Sequence, residues 1–353
     1  MDHLRHFGLA EDPFRDEPRV RDYCETRAAR EALRRLERGL RQGRGLGVLS
    51  GDPGSGKSML LRRLLDGLEE EVFESSLLVV LPGASEVGAL IARFARHLGL
   101  ESPAPDRQSL LAQVYERLAI VREEGRQAVL LIDDADVLGG AGALAELCGL
   151  LRLEYEDRRL LSLLLAGSPA LDVALAADPG LCQRIDFRAR LQALDAEEAD
   201  RFLSHRLRRA GGDPALLDPD ATEALCRLGR GLPGRMGRLA DNALFEAFLC
   251  DRRRVTRADV ERAHADLDPS PEAARGALPA APRLRREAGR RELGARDAAP
   301  KPLHPLASAD DSLGDLDSEL EAIFESDEDG PLVRPSRLRS AGDDGLVAQL
   351  LED

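Results

Sequence analysis

Tryptophan is absent from this 353-residue chain, and aromatic residues make up only 3% of it. With Ala, Leu and Arg dominating instead, the composition favours helices packed through aliphatic cores. Lysine is almost missing as well: only Lys57 and Lys301 occur, against a large excess of arginine. Cysteine is sparse and scattered. Cys24, Cys148, Cys182, Cys226 and Cys250 form no C-x-x-C pair and share no ligand spacing with histidine, so they read as reduced, mostly buried small apolar residues rather than a metal site. The six histidines do not cluster. No run of about 18 uninterrupted apolar residues occurs; the stretch 160–177 comes nearest, and Pro169 and Asp172 break it. Met1 to Leu9 lacks the apolar core of a secretory signal. These absences lead to the expectation of a cytoplasmic protein with no transmembrane segment. A formal charge of −14 and a pI near 5.1 argue against coating nucleic acid by bulk electrostatics, which leaves only local basic faces for such contacts.

Against this background one stretch stands out. Gly51-Asp52-Pro53-Gly54-Ser55-Gly56-Lys57-Ser58 fits G-x-x-x-x-G-K-[ST] without a mismatch. An apolar run at 46–50 precedes it and a helical pattern at 59–70 follows, the order in which such a loop cradles phosphate. Glycines let successive backbone N–H groups turn inward, and the helix offers its positive N-terminal end. Lys57 then reaches the β and γ phosphates of a nucleotide, and Ser58 presents a hydroxyl to Mg²⁺. Lysine persists at this position because a compact ammonium does there what a wide guanidinium fork does poorly.

The rest of the chain arranges itself around that loop. A loop-like opening with apolar anchors leads into an arginine-rich helix at 26–41, which Gly43 to Gly47 ends. After the P-loop strand and helix, apolar runs at 76–81, 128–133, 160–166 and 185–191 read as buried strands, with helices at 86–98, 107–124 and 141–155 and another opened by Pro169. The alternation predicts an α/β fold with a parallel five-stranded sheet over residues 1–192. From Asp195 only helical patterns occur, at 196–210, 220–229, 233–251 and 256–266, which predicts a small all-α lid domain over 193–267. Thr256 and Asp259 suit a capping box with Asp in the acidic position. Residues 268–353 lose all periodicity, and Asp310 to Asp329 carries no basic residue, so the composition predicts a disordered acidic tail. Within it Leu313, Leu316, Leu320, Ile323 and Phe324 lie at helical spacing, as do Leu346, Val347, Leu350 and Leu351, and these could fold on a partner.

Asp133 closes its apolar strand as the acid that holds the Mg²⁺ bridging the β and γ phosphates. Asp134, directly after it, is the candidate general base or water-positioner, with a solvated loop acid as the alternative. In combination these features resemble the AAA+ ATPases of the ExeA/GspA type, secretion-pathway ATPases related to transposition ATPases and origin-recognition initiators. The resemblance covers about residues 4–267. Its markers are Phe7-Gly8-Leu9 with Pro13-Phe14, the P-loop, Leu131-Ile132-Asp133-Asp134-Ala135, Leu165-Ala166-Gly167-Ser168-Pro169-Ala170-Leu171, Gln183-Arg184-Ile185, and Gly231-Leu232-Pro233 with Leu239-Ala240-Asp241.

The resemblance implies ATP and Mg²⁺ as ligands and further site residues. Ser168 takes the place of a polar sensor of the γ phosphate, although a helix N-cap before Pro169 would use the same residue. Arg184 takes the place of an arginine finger acting on a neighbouring subunit, with Arg188 and Arg190 close by. Such a finger implies an ATP-dependent homo-oligomer. Two positions depart from the family pattern: Asp134 stands where Glu is usual, and Gly234 follows Pro233 where Arg is usual, leaving Arg235 one residue late. Both departures lead to the expectation of firm nucleotide binding and weak hydrolysis. The membrane span and cell-wall-binding domain common in secretion members are not found here. Three functions follow: an assembly factor or nucleotide switch with a protein partner at the lid or tail, a DNA-associated helper using Arg252, Arg253, Arg254 and Arg257, and a non-catalytic ATP-responsive scaffold.

Overall fold

In the computed structural model, residues 2–267 are described except 16, 82–85 and 139. The acidic tail and its helix-spaced segments lie outside the described residues. A parallel sheet is built from β1 (Leu46–Gly51), β2 (Phe73–Val79), β3 (Gln127–Asp133), β4 (Leu161–Gly167) and β5 (Ile185–Leu191), in the order β2-β3-β4-β1-β5. The three inner strands are buried on both faces and therefore read as unbroken apolar runs. The two edge strands alternate. β5 sends Ala189 and Leu191 inward and leaves Asp186, Arg188 and Arg190 exposed. β2 begins three residues before the expected run because Phe73, Glu74 and Ser75 belong to its edge pattern, and its register is fixed residue by residue from Phe73 opposite Gln127 to Val79 opposite Asp133.

Successive strand residues point to opposite faces and so feed two cores. Val48, Leu130, Leu163 and Leu165 pack under helices Val87–His97, Arg107–Glu123 and Pro169–Ala176. Leu49, Val129, Leu131 and Leu164 pack under helices Arg27–Arg41 and Lys57–Asp66. The expected helix at 141–155 ends early. It runs Ala141–Gly149, passes through a 3-10 turn at Leu150–Arg152, and gives way to a hairpin pairing Glu154–Tyr155 with Arg158–Arg159. The hairpin turn is made by Glu156 and Asp157, both with positive φ, so polar residues that look helix-compatible in sequence instead reverse the chain.

Beyond β5 the chain is helical: Ala196–Arg209, Pro219–Leu228, Pro233–Leu249 and Arg257–Leu267. Their core also takes in Leu4, Phe7, Leu9 and Phe14 from the start of the chain. Two buried charged side chains fasten that start. Arg206 Nε donates to the Pro13 carbonyl at 2.6 Å. Glu198 Oε1 accepts from the Arg27 amide at 2.7 Å, satisfying one of the free N–H groups at the head of helix Arg27–Arg41. Asp259 is fully buried, holds the Thr256 amide at 2.9 Å, and pairs with both Arg252 and Arg262. Half of the expected capping box is thus present, the carboxylate reaching back to the cap amide, while the Thr256 hydroxyl donates to the same carboxylate. Among the described residues no helix is long and apolar enough to cross a membrane.

Where β5 begins, its pairing with β1 slips: Leu46 faces Ile185, yet Gly47 faces Phe187. Asp186 absorbs the slip by accepting the Gly45 amide at 2.8 Å and the Leu46 amide at 3.2 Å. The Phe187 ring then lies across two glycines, since a Cβ on Gly39 would stand 2.6 Å from it and one on Gly47 only 2.3 Å. Gly47→Ala is expected to overpack this contact and cost about 1–3 kcal/mol, read as a lower urea midpoint at unchanged m-value; Phe187→Leu in the same chain should recover part of the loss.

Candidate functional site

The loop between β1 and helix Lys57–Asp66 sets the site. Gly54 and Gly56 hold φ of 83° and 99°, a region that side chains with a Cβ resist. A Cβ on Gly51 would stand 2.7 Å from Ser55 Oγ and 3.0 Å from the Leu191 carbonyl, so the loop is closed tightly on the end of β5. Lys57 is 7% exposed, and its ammonium donates to the carbonyls of Gly51 at 2.9 Å and Asp52 at 3.3 Å. The charge is therefore drawn back over the loop that it serves.

This loop forms the floor of a cleft of about 520 Å³. One wall comes from residues 14–29, the other from Asp134, Asp136, Ser168 and the Pro233-Gly234 end of the helical region. Two hydroxyls along it, Ser55 Oγ and Tyr23 Oη, are buried without a hydrogen-bond partner among the described residues. Buried polar atoms are rarely left so, and a polar ligand in the cleft would satisfy them. Burial pushes the Tyr23 phenol up to about 12, so it stays a neutral donor. Ser58 and Asp133 supply a hydroxyl and a carboxylate, the hard oxygen donors that suit Mg²⁺.

The acids follow from the strand. Asp133 ends β3 and is 4% exposed. Asp134 then turns the chain with φ of 55°, a left-handed conformation that Asp adopts more readily than most residues. Its amide donates to Asp133 Oδ1 at 3.1 Å. Partial desolvation, and after it the neighbouring Asp133 carboxylate, raise the Asp134 carboxyl above its ordinary range. The turn continues as a 3-10 helix, Ala135–Leu138, which brings in a residue that the sequence reading did not single out. Asp136 Oδ2 accepts the Ser168 hydroxyl at 2.6 Å and Oδ1 accepts the Ser168 amide at 3.1 Å. Burial alone would raise Asp136, but the two bonds from Ser168 outweigh it and hold the carboxyl low. The only signal in the sequence was a third acid close behind Asp133-Asp134, and nothing local ties it to a residue more than thirty positions away.

Ser168 stands at the cleft and also takes the alternative role of helix cap, accepting the Ala170 amide at 3.2 Å at the head of helix Pro169–Ala176. Gly167 makes this possible, since a Cβ there would stand 2.6 Å from Asp136 Oδ1.

Arg184 and Arg235 are not brought to this cleft. Arg184 ends helix Pro179–Arg184, and the next residue pairs with Leu46 at the far end of β1 from the P-loop. Five strand steps lie between, about 16 Å. Among the described residues no carboxylate pairs with it, whereas Arg188 is paired with Asp172 at 2.9 Å. Arg190 is exposed opposite Ser50. Arg235 lies across Gly54 from the cleft, in a second groove of about 810 Å³ shared with Asp52, Arg230, Arg238 and His264. The reason is helical geometry: each residue rotates the side chain by about 100°, so a one-residue offset after Pro233 faces another groove. Gly234, by contrast, touches the loop itself. Its amide donates to the Gly54 carbonyl at 2.9 Å, and a Cβ on Gly234 would stand 3.1 Å from Gly54 Cα.

The arginine run of the helical region is engaged internally. Arg252 pairs with Asp259, Arg253 donates to the His6 carbonyl, Arg254 lies 3.7 Å from Asp218, and Arg257 pairs with Glu261 at 2.8 Å.

The raised Asp134 carboxyl carries a cost in stability. A carboxyl that binds its proton more tightly in the folded state loses folding free energy as pH rises through that window. Asp134→Asn is therefore expected to raise the melting temperature at pH 7.5 and to converge on the parent toward pH 3, where the Asp134 carboxyl is largely protonated in folded and unfolded chains alike; thermal scans at the two pH values check this.

Residues 40–175 match the family model described as AAA domain. The chain is 29% identical over 264 residues to General secretion pathway protein A of Aeromonas hydrophila, a match covering 74% of this chain and 48% of that protein. It thus spans about half the length of this relative. Among solved structures, it superposes on Cdc6p from Pyrobaculum aerophilum with a TM-score of 0.58 at 19% identity, covering 72% of this chain and 70% of that one. The Aeropyrum pernix ORC2 protein, solved as ADPNP-ADP complexes, gives 0.54 at 17% identity with 72% and 71% covered. Both show the same fold.

Proposed function

With an AAA domain on a parallel P-loop sheet as the premise, and a resemblance to ATPases of the ExeA/GspA type, we propose that this chain is an ATP-binding, slowly hydrolysing nucleotide switch that works as an oligomer. The observation that carries this reading is the Gly234 amide resting on the Gly54 carbonyl at 2.9 Å. Phosphate held by the loop must act on Gly54, and Gly54 is bonded to the head of helix Pro233–Leu249. The nucleotide state therefore reaches the helical region through a backbone contact, beside the side chains of Phe202 and Arg206 that line the same cleft.

The roles of the other residues follow from their placement. Lys57 leaves its two loop carbonyls to meet the β and γ phosphates. Ser58 and Asp133 are the residues that would hold Mg²⁺, which would supply positive charge against the phosphate oxygens. Asp134, with its carboxyl raised, is the basic group available to orient an attacking water. Asp136 fixes the Ser168 hydroxyl and so commits its proton, leaving Ser168 an acceptor rather than a strong donor toward a phosphate. Together with the short side chain of Asp134, this supports slow turnover. Arg184, which lies outside its own cleft, is the residue we assign to completing the site of a neighbouring copy.

A protein partner at the lid is supported by the exposed Phe245 and Leu249 at the far end of helix Pro233–Leu249, where Phe245 meets His3 edge-on with centroids 6.0 Å apart. A role in secretion or the cell envelope rests on General secretion pathway protein A alone.

Steady-state ATP turnover and sedimentation with and without ATP and Mg²⁺ test the reading. Lys57→Ala should abolish nucleotide binding. Arg184→Ala should keep binding and lose turnover by about 10³-fold or more, and mixing it with Lys57→Ala chains should restore part of the activity. A chain that stays monomeric with ATP, or turnover no greater than that of Lys57→Ala, would overturn the oligomeric switch.

The Gly54 contact has its own consequence. Gly234→Ala forces the helix head back by a few tenths of an ångström. Nucleotide affinity should fall no more than about tenfold, near 1.4 kcal/mol, while ATP-dependent assembly should be lost; titration and sedimentation of the same variant separate the two.

A further inference from the structure

The second groove is not absorbed by the nucleotide site. It lies between Asp52–Gly54 and the helical region and presents Arg230, Arg235, Arg238 and His264 against the single carboxylate of Asp52. Arg230 and Arg238 are exposed, and no carboxylate among the described residues pairs with either. Leu232, Leu239 and Leu267 give it an apolar floor, Leu267 being 44% exposed. His264 and Leu267, in the last turn of helix Arg257–Leu267, line the groove, so the chain leaves the described fold at the groove itself.

We propose that this groove is the docking site of the chain's own acidic segment, residues 310–329. That segment contributes ten carboxylates and no basic residue. Its apolar residues Leu313, Leu316, Leu320, Ile323 and Phe324 recur at helical spacing between the acids, which suits a groove with an apolar floor and a cationic rim. The connection from Leu267 is roughly 40 residues, and at up to about 3.4 Å per residue it reaches the groove with ample slack. Because the two are tethered, even weak contacts operate at an effective concentration on the order of millimolar.

Docking there bears on the loop. Asp52, Pro53, Gly54 and Gly234 line the same groove, so an occupant braces the contact between P-loop and helical region, and a competing polyanion releases it. The docking needs the groove but not turnover, so it stands apart from the proposed ATPase cycle.

The test uses the full chain with the photo-crosslinking residue p-benzoylphenylalanine in place of Leu320. Irradiation should give cross-links within one chain to peptides covering 230–239 and 257–267. The yield should fall about fivefold in Arg230→Glu/Arg238→Glu and in about 1 M NaCl, where the screening length drops to about 3 Å. Adding Glu319→Lys and Glu321→Lys to the arginine variant should restore it, which a merely unfolded variant could not do. Cross-links confined to other surfaces, or a yield indifferent to groove charge and salt, would overturn the proposal. Cross-linked dimers in place of monomers would overturn it in favour of docking on a second copy.

Discussion

Two glycines in van der Waals contact govern the architecture around the cleft. Gly54 must take a left-handed conformation for the P-loop to turn, and Gly234 must lack a Cβ for the helical region to approach it. With both conditions met, a 2.9 Å backbone hydrogen bond joins a phosphate-binding loop to the head of a helix 180 residues later in the chain. A Cβ at Gly234 would push the two apart by a few tenths of an ångström, whereas at Gly54 the constraint is the positive φ. A residue that looks like a lost arginine in sequence is, in the structure, a requirement of packing.

The same economy explains the opening residues. Phe7, Leu9 and Phe14 join the core of the C-terminal helices, and Arg206 and Glu198 fasten the segment through main-chain groups. Buried charges are tolerated here because they are hydrogen-bonded, in the case of Arg206 to carbonyl oxygens and in the case of Glu198 to an amide. Burial still leaves its mark in the lowered Arg206 pKa. The result is that residues 14–29 stand as a wall over the P-loop, and the cleft is assembled from three separate stretches of chain.

The inner strands, the P-loop and most helices were legible because each is encoded locally: a doubly buried parallel strand is an apolar run, and a capped amphipathic helix carries its own period. The misses share a cause. β2 was displaced because an edge strand mixes polar and apolar residues, and the helix at 141–155 was overextended because Glu156 and Asp157 give no local sign of positive φ. Asp136 went unnoticed because its significance lies entirely in Ser168, on the neighbouring strand's end.

By itself the sequence determined the chemistry on offer: a phosphate loop with a retained lysine, a strand-ending carboxylate pair, and a helical region after a parallel sheet. These are properties of short segments, set by residue type and spacing. Only the tertiary structure decided which groups share a cleft. It joined Asp136 to Ser168, held Lys57 against the loop carbonyls, and placed Arg184 at the far end of the sheet and Arg235 on the other side of Gly54. Strand order, register and the turn of a helix by one residue fix those distances, and none of the three is written in any single stretch of chain.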